Sequence, residues 1–431
     1  MRIKNFEQLA ADERRKTALK IIEEGFNAIR TETAVRKAMQ RFDRKIVLAG
    51  SEITVNQNSR VFLVSVGKCG VRAALEAEKI LGELIYKGVV VDIYEGKFEN
   101  PNIETYAGDH PFASERNISA TRRLISLLSE TTENDLVISF ISGGGSALLC
   151  QPDNMTCVEE REVIDMMFKK GASIEKVNTV RKHLSLARGG YLAKYAFPAK
   201  VVSLIFSDVP GNSIEFIASG PTAFDSTSMS DAKRVIEEYG VSETYPFIEK
   251  ALIETPKENR FFTNVTNTVI VSNSAMLAAM KEAAENLGYE AKIMTDKFSG
   301  HARHIGAGIA NNLKSEKPDT FLLYGGESTV VVKGKGRGGR NQEIALSAMR
   351  FADDSDIIIA VASDGIDNGR FAGGICDAIS IKHAAELNMN VWDYLNDNNS
   401  SGFFEKTGDF LETGPTGSNV ADIVLAAHFN E

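Results

Sequence analysis

Short runs of β-branched residues recur along the chain, and each ends in glycine, serine or aspartate before a segment with helical periodicity. Six runs show this pattern: VFLVSVGKCG, DLVISFISGGGS, KVVSLIFSDVPGN, NTVIVSNSAM, TFLLYGGEST and DIIIAVASDGIDN. Such alternation is typical of a parallel sheet flanked by helices. Because open α/β sheets bind ligands at the carboxyl ends of their strands, the polar residues that close each run are the first candidates for a functional site.

The length of 431 residues predicts two or three domains, at roughly 150 residues per domain. The segment LIETPKENRFFTNVTN is polar and contains a proline, so we place the main division there, giving domains of residues 1–255 and 256–431. We predict an α/β fold with two α/β domains, each built on a mainly parallel Rossmann-like sheet. Ahead of the first strand, DERRKTALKIIEEGFNAIR has apolar residues at helical spacing and predicts an amphipathic helix.

Composition and charge exclude several classes of partner. The chain is 43% apolar and 25% charged, as ordinary globular proteins are. Its formal net charge of −9 repels nucleic acid and anionic membranes, so we expect neither partner, and any anion site must be local. The segment MRIKNFEQLAADERRK lacks the apolar core of a signal peptide, and the four cysteines show no zinc or disulfide spacing. We therefore expect a cytoplasmic protein.

The segment VVVKGKGRGGRNQEIAL, residues 330–346, allows three interpretations. Its glycines at 334, 336 and 339 satisfy G-x-G-x-x-G between a strand-like and a helix-like run, as in dinucleotide sites, with Asp364 as a candidate for the ribose contact. Three cations of the same loop favour a polyphosphate instead, because lysine and arginine stabilise the charge of phosphoryl transfer. These cations are Lys335, Arg337 and Arg340. In the third interpretation the loop needs glycine only to bend.

Other strand ends carry groups that suit phosphate and a divalent cation. SFISGGGSALL places three glycines and two serines between a strand and a helix, where backbone N–H groups favour an anion. Lys68 lies at a neighbouring strand end in VGKCG. Three aspartates that follow strands could bind Mg²⁺ or could only close turns through their own backbone. They are Asp208, Asp364 and Asp367.

A basic segment, NTVRKHLSLARGG, brings Arg181, Lys182 and Arg188 together ahead of two glycines. These cations could bind a substrate carboxylate, which arginine does best through paired hydrogen bonds, or could form a basic helix face. Glu327 in GGEST could be a further ligand or could orient Arg337 or Arg340.

Six segments in order resemble the glycerate 2-kinase family, whose C-terminal region is called the MOFRL domain. They are ISGGGSALL, NTVRKHLSLARGG, FSDVPGNSIEFIASGPT, YGGESTVVVKGKGRGGRNQEIAL, SDGIDN with AGGICDA, and GPTGSNV. The resemblance runs from about Val66 to Val420 and places the MOFRL region at about residues 318–431. The chain departs from the family pattern at Asn368, where glycine is usual, and at Ala421, where asparagine is frequent.

The resemblance implies phosphorylation of D-glycerate to 2-phosphoglycerate by ATP with Mg²⁺, in a cleft between the two domains. It implies catalytic charge on Lys68 and on Arg337 or Arg340, and a phosphate cradle at the triple glycine. The expected catalytic residues are Lys68, Asp208, Arg337 and Arg340. The expected ligand-binding residues are Ser142, Gly143, Gly144, Gly145, Ser146, Lys182, Asn212, Gly220 and Glu327. The expected Mg²⁺ ligands are Asp208, Asp364 and Asp367.

Two other functions stay open at this point. Family members have also been labelled hydroxypyruvate reductases, and a dinucleotide site at residues 334–339 would predict an NAD(P)-dependent enzyme of that kind. A noncatalytic module that binds phosphosugars is the other alternative. A homodimer is the assembly that we consider, with a small molecule as the only other partner.

Overall fold

The computed structural model describes residues 1–430 and divides into two compact units. The central unit comprises Thr31–Ile270, and the terminal unit combines Met1–Arg30 with the chain from Val271 onward. This division differs from the one expected at residue 255, because the last strand of the central sheet extends to Val271 and the N-terminal helix packs within the terminal unit.

Eighteen α-helices and fifteen strands lie within residues 1–430. The helices are α1 (Phe6–Leu9), α2 (Glu13–Ala28), α3 (Thr31–Ala38), α4 (Gly70–Leu81), α5 (Glu115–Leu128), α6 (Gly145–Leu148), α7 (Cys157–Lys169), α8 (Ile174–Lys182), α9 (Tyr191–Ala196), α10 (Met229–Glu238), α11 (Val241–Thr244), α12 (Ile248–Ala251), α13 (Asn273–Asn286), α14 (Ala302–Leu313), α15 (Arg340–Ala348), α16 (Ala378–Glu386), α17 (Val391–Asn396) and α18 (Ser400–Thr407). The strands are β1 (Met39–Phe42), β2 (Lys45–Leu48), β3 (Ser51–Thr54), β4 (Val61–Val66), β5 (Ile85–Asp92), β6 (Ile103–Ala107), β7 (Leu136–Ile141), β8 (Lys200–Phe206), β9 (Val265–Val271), β10 (Glu290–His301), β11 (Thr320–Thr329), β12 (Asp356–Ala362), β13 (Gly373–Asp377), β14 (Phe410–Leu411) and β15 (Asp422–His428). Over the described range, none of these helices combines the length and the apolar character that crossing a bilayer requires.

The central unit is built on a six-stranded sheet in the order β6-β5-β4-β7-β8-β9. The pairs from β6 to β8 are parallel, as predicted for this half of the chain. Strands are added on one side of β4 as far as β6, and the chain then returns to place β7 on the other side. The sheet therefore has a topological switch point between β4 and β7, where open α/β sheets form their binding crevice.

Strands β4 and β7 are buried along their whole length, as parallel strands covered on both faces are. Their apolar side chains form one core with α5 and α9. A second cluster of buried residues joins α7, α8, α10, α11 and α12 into a helical region of the same unit. A separate antiparallel sheet of β1, β2 and β3 completes the central unit.

The terminal unit is built on a sheet in the order β10-β11-β15-β12-β13-β14. Only β10 and β11 pair in parallel among these strands, and the other four pairs are antiparallel. The prediction of a mainly parallel sheet is wrong here, because β13 and β15 lie outside the six runs read from the sequence, and β15 lies between β11 and β12. Helix α2 packs against α13 in this unit, as the amphipathic pattern of its sequence requires.

Candidate active site

Two loops of the central unit meet at the switch point. The N–H of Lys68 donates to the carbonyl of Gly143 at 3.0 Å, and the N–H of Ser142 donates to the carbonyl of Val66 at 2.9 Å. The hydroxyl of Ser142 lies 3.4 Å from the backbone nitrogen of Cys69, and the Ser142 side chain is buried. Ser142, which we expected to contact a ligand, therefore supports the contact between the two loops.

The triple glycine lets two charged side chains approach the loop closely. A Cβ atom on Gly143 would overlap the carboxylate of Asp208, and one on Gly144 would lie 2.9 Å from Cγ of Lys68. Gly144 also has φ +85°, a conformation that favours glycine. A Cβ atom on Gly145 would lie 2.5 Å from Cβ of Ala218. The strand ends thus bring together Lys68, Asp208 and the triple glycine.

Alignment of the strands explains this convergence. Val66 of β4 pairs with Ile141 of β7, which pairs with Ile205 of β8. Lys68, Gly143 and Asp208 each follow those aligned positions by two or three residues. Parallel strands in register therefore deliver the three groups to one edge of the sheet.

The charges at this edge are only partly compensated. Among residues 1–430, no side chain forms a hydrogen bond or ion pair with the ammonium of Lys68. Burial raises the pKa of Asp208, while hydrogen bonding from its own backbone and the charge of Lys68 act in the opposite direction. Burial, together with the charge of Lys68, lowers the pKa of His110. The edge therefore presents the unpaired ammonium of Lys68 beside the carboxyl group of Asp208, and the lowered pKa of His110 favours its neutral imidazole.

A cavity of about 310 Å³ adjoins the triple glycine. The loop contributes Gly144 and Ser146 to its wall, and the helical region contributes Glu160, Arg181 and Arg188. Ser146 Oγ lies 2.8 Å from Ser219 Oγ, and Arg188 forms a buried ion pair with Glu160.

Three other residues that we expected to bind ligands have structural roles. The structure speaks against Lys182 as a carboxylate-binding residue, because its buried ammonium lies 2.5 Å from Asp225 and 3.6 Å from Glu215. Gly220, with φ +60°, packs against the backbone of Glu215. Asn212, with φ 55°, ends a short helical turn that follows Asp208.

In the terminal unit, Arg340 lies at the first residue of α15 and makes two ion pairs. Its Nη1 atom lies 2.7 Å from Oε1 of Glu327, and its Nε atom lies 2.6 Å from Oδ2 of Asp422. Burial raises the pKa of Asp422 to about 6, although Arg340 opposes the shift. Glu327 therefore holds Arg340 in place, which is one of the two roles predicted for it. Sequence reasoning missed Asp422, which begins a strand rather than following one.

Asp367 caps α15. Its carboxylate accepts hydrogen bonds from the backbone N–H groups of Asn341 at 3.0 Å and Gln342 at 2.8 Å, and from both of their side-chain amides. With four donors directed at it, this carboxylate is a poor Mg²⁺ ligand, so the structure speaks against metal binding by Asp367. Asp364 accepts from the N–H of Ile366 at 2.9 Å, which is the turn-closing role that we considered for it. No group of three or more His, Cys, Asp or Glu residues suited to a metal ion occurs among the described residues.

The glycine loop before α15 packs tightly against a second segment, residues 397–399. The side-chain oxygen of Asn398 accepts from the N–H groups of Lys333 at 2.8 Å and Gly334 at 3.0 Å. Further along the loop, Lys335 and Gly336 donate to Asp397, and Arg337 donates to Asn399.

These contacts leave few backbone donors for a pyrophosphate, and the end of α15 is already occupied by Asp367. The dinucleotide interpretation is therefore unsupported, and close packing explains the glycines. Cβ atoms on Gly334, Gly336 and Gly338 would overlap this second segment or the following Ser400. The side chain of Arg337 is 79% exposed and lies 3.3 Å from Glu405, so it does not join Arg340 as predicted.

Comparison with known proteins identifies relatives along nearly the whole chain. A model described as domain of unknown function (DUF4147) matches residues 17–253, and a MOFRL family model matches residues 320–422. A D-glycerate 2-kinase from Thermotoga maritima is 37% identical over 95% of this chain and 97% of its own length. A glycerate 2-kinase from Pyrococcus horikoshii is 38% identical over 96% and 97%.

A solved structure and a differently named relative extend the comparison. The crystal structure of a glycerate kinase from Thermotoga maritima superposes with a TM-score of 0.85 at 36% identity, covering 96% of this chain and 99% of that one. A protein from Agrobacterium vitis named a putative hydroxypyruvate reductase is 34% identical over 91% of this chain and 94% of its own.

Proposed function

Because the chain belongs to the glycerate 2-kinase family with a C-terminal MOFRL domain, we propose that it phosphorylates D-glycerate at the 2-hydroxyl, using ATP and Mg²⁺ and releasing ADP. The observation that carries the proposal is the uncompensated ammonium of Lys68 beside the triple glycine, at the switch point of a doubly wound sheet. A free cation next to a glycine loop whose backbone other groups can approach closely suits a transferring phosphoryl group.

In the proposed mechanism, positioning and electrostatics supply most of the rate enhancement, because the transition state of phosphoryl transfer is loose. Lys68 stabilises negative charge on the transferring group, and the backbone of Gly143–Gly145 cradles phosphate oxygens. Asp208 accepts the proton of the reacting hydroxyl or holds the metal. Arg340, oriented by Glu327 and Asp422, is a second catalytic cation.

Asp208 also fits the requirements of a magnesium ligand. Mg²⁺ takes one or two carboxylates together with water and phosphate oxygens. No side chain among residues 1–430 donates a hydrogen bond to Asp208, so its oxygens are available, in contrast to those of Asp367. When bound, the metal would neutralise charge on the phosphate oxygens. Asp364 remains a candidate ligand in the terminal unit.

A coupled assay for ADP with D-glycerate and Mg·ATP tests the proposal, and phosphorus NMR of the product identifies the hydroxyl that is phosphorylated. We expect Lys68→Met to lower kcat by about a hundredfold, as loss of one electrostatic donor does. Lys87→Met is the matched control, since Lys87 lies on β5 of the same unit and is already paired with Glu130. Near-normal turnover of Lys68→Met at saturating substrates would remove Lys68 from the mechanism.

The name of the Agrobacterium relative makes a reductase the second candidate. The same protein is therefore incubated with hydroxypyruvate and NADH or NADPH, and absorbance at the nicotinamide band is followed. We expect no oxidation, because the N–H groups of the glycine loop are occupied by residues 397–399. Rapid oxidation without glycerate-dependent ADP release would favour the reductase. Neither reaction, together with retention of a phosphosugar, would favour a binding module.

A further inference from the structure

The cavity beside the triple glycine contains an arginine that the mechanism above does not use. Arg181, near the end of α8, lines this cavity of about 310 Å³. Within the described part of the chain, its guanidinium forms no ion pair and no hydrogen bond. Burial and the nearby charge of Arg188 lower the pKa of Arg181 to about 10, so the side chain still carries its charge at neutral pH.

The other charges that line the cavity are compensated. Arg188 pairs with Glu160, and Arg161 lies 3.8 Å from Asp165 and stacks on Phe112. The charge of Arg181 is therefore left in excess. An uncompensated cation in a partly buried position destabilises a fold, and such residues are found where a ligand supplies the missing charge.

A lining residue of the cavity has a buried, unsatisfied donor. The Arg188 side chain is 1% exposed, and its Nε atom has no hydrogen-bond partner within residues 1–430. Because this atom is enclosed, the available N–H donors at the cavity are, among the described residues, those of the Arg181 guanidinium. A carboxylate, with two acceptor oxygens in one plane, matches such donors well.

The position of the cavity relates it to the proposed reaction. Gly144 packs close to Lys68 and also lines the cavity, and Ser146 of the same loop lines it as well. In a 2-hydroxy acid, the carboxylate carbon is bonded directly to the carbon that bears the reacting hydroxyl. One short loop can therefore separate the group that binds the carboxylate from the group that stabilises the phosphoryl.

We propose that Arg181 binds the carboxylate of the hydroxy-acid acceptor and thereby makes the enzyme specific for acids over neutral polyols. This assignment rests on the proposed function, since it names the acceptor contact of the same site. It replaces Lys182, the neighbouring cation that the sequence suggested.

Steady-state kinetics with D-glycerate and with its neutral amide test the assignment. We expect Arg181→Met to lower kcat/KM for D-glycerate by about a hundredfold, as the loss of one partner of a buried charge pair does. The KM for ATP should be unchanged, and the preference for D-glycerate over the amide should shrink. Arg181→Lys, which keeps the charge but loses the paired donors, should recover part of the activity.

Thermal denaturation separates a binding role from a structural one. D-glycerate should raise the Tm of the wild type but not of Arg181→Met, whose own Tm should equal or exceed that of the free wild type. Arg123→Met is the control: Arg123 lies outside the cavity and pairs with Glu104, so its loss should leave kcat/KM unchanged and should not raise Tm.

Failure of this assignment is distinguishable from failure of the kinase proposal. Suppose that the wild type phosphorylates D-glycerate, and that Arg181→Met either keeps the wild-type KM for D-glycerate or raises only the KM for ATP. Arg181 then does not bind the acceptor, and the kinase proposal stands. If the wild type releases no glycerate-dependent ADP, the kinase proposal fails, and calorimetric titration with D-glycerate decides the binding role. Binding by the wild type alone would support Arg181, whereas binding by both proteins or by neither would overturn it.

Discussion

Cations of the central unit differ in whether a neighbour neutralises them, and this difference separates structural residues from candidates for function. Lys182 is enclosed with Asp225, whereas within residues 1–430 neither Lys68 nor Arg181, the residue before Lys182 in α8, has such a partner. The amino-acid sequence shows three cations in NTVRKHLSLARGG but not which of them is neutralised. That depends on residues about 30 to 40 positions away that folding brings near.

His110 gives the protein a pH dependence of stability. Its pKa in the folded state is lowered by burial and by Lys68, so the unfolded chain binds the proton at a higher pH than the folded chain does. The free energy of unfolding should therefore fall as pH drops below the ordinary histidine value of about 6.5. Urea denaturation of wild type and His110→Gln at pH values about one unit above and below that value measures the effect.

The variant comparison identifies the cause of that slope. His110→Gln should lose stability less steeply on acidification than the wild type, and Lys68→Met should be intermediate because only the charge is removed while burial remains. Equal slopes for all three proteins would mean that His110 does not contribute.

The elements that could be predicted from the sequence are those in which a hydrophobic pattern is bounded by turn residues. All six runs form strands, and the N-terminal amphipathic pattern forms α2. Strands β13 and β15, GGICD and DIVLAAH, carry no such closing signal, and their antiparallel pairing depends on partners far away in the chain. The candidate site divides in the same way. The groups that follow aligned strands could be predicted, because strand ends are visible in the sequence. The cavity could not be predicted, because its wall depends on how the helices pack.

The N-terminal end of α15 depends on one glycine. A Cβ atom on Gly339 would overlap the carbonyl and carboxylate of Asp367, which caps the helix, and Arg340 is the next residue. Gly339→Ala should therefore destabilise the protein by about 1–3 kcal/mol and also lower turnover. Urea denaturation and the ADP assay measure the two effects.

Gly369 supplies the matched control for that substitution. A Cβ atom there would meet no other atom within 4 Å, so Gly369→Ala should change neither quantity much. If Gly339→Ala unfolded with the same free energy as the wild type, the capping role of Asp367 would be contradicted.

At the scale of the whole molecule, the first 30 residues belong with the C-terminal part of the chain. Arg15 of α2 is buried and lies 2.5 Å from Asp377 and 2.8 Å from Asp409. The charge of both carboxylates is compensated by a residue more than 360 positions earlier in the sequence. The pairing joins the ends of the chain within one unit.

Arg15→Met should cost about 3–5 kcal/mol of unfolding free energy, because it leaves two carboxylates buried without their cation. Lys16→Met removes a charge from the neighbouring position, where the pair with Glu13 is exposed, and should leave the free energy of unfolding nearly unchanged. Chemical denaturation of both variants measures the difference. Equal losses would show that the buried pair is worth no more than a surface pair.

The hydrogen bonds between the glycine loop and residues 397–399 also limit how this protein can be recombined with its homologues. Backbone N–H groups at 333–337 find their acceptors in Asp397, Asn398 and Asn399, some 60 residues away. A chimera that takes the loop from one parent and the second segment from another would mismatch the hydrogen-bond donors and acceptors where the two segments meet. Crossovers placed outside residues 333–399 should therefore yield folded hybrids more often than crossovers within that stretch.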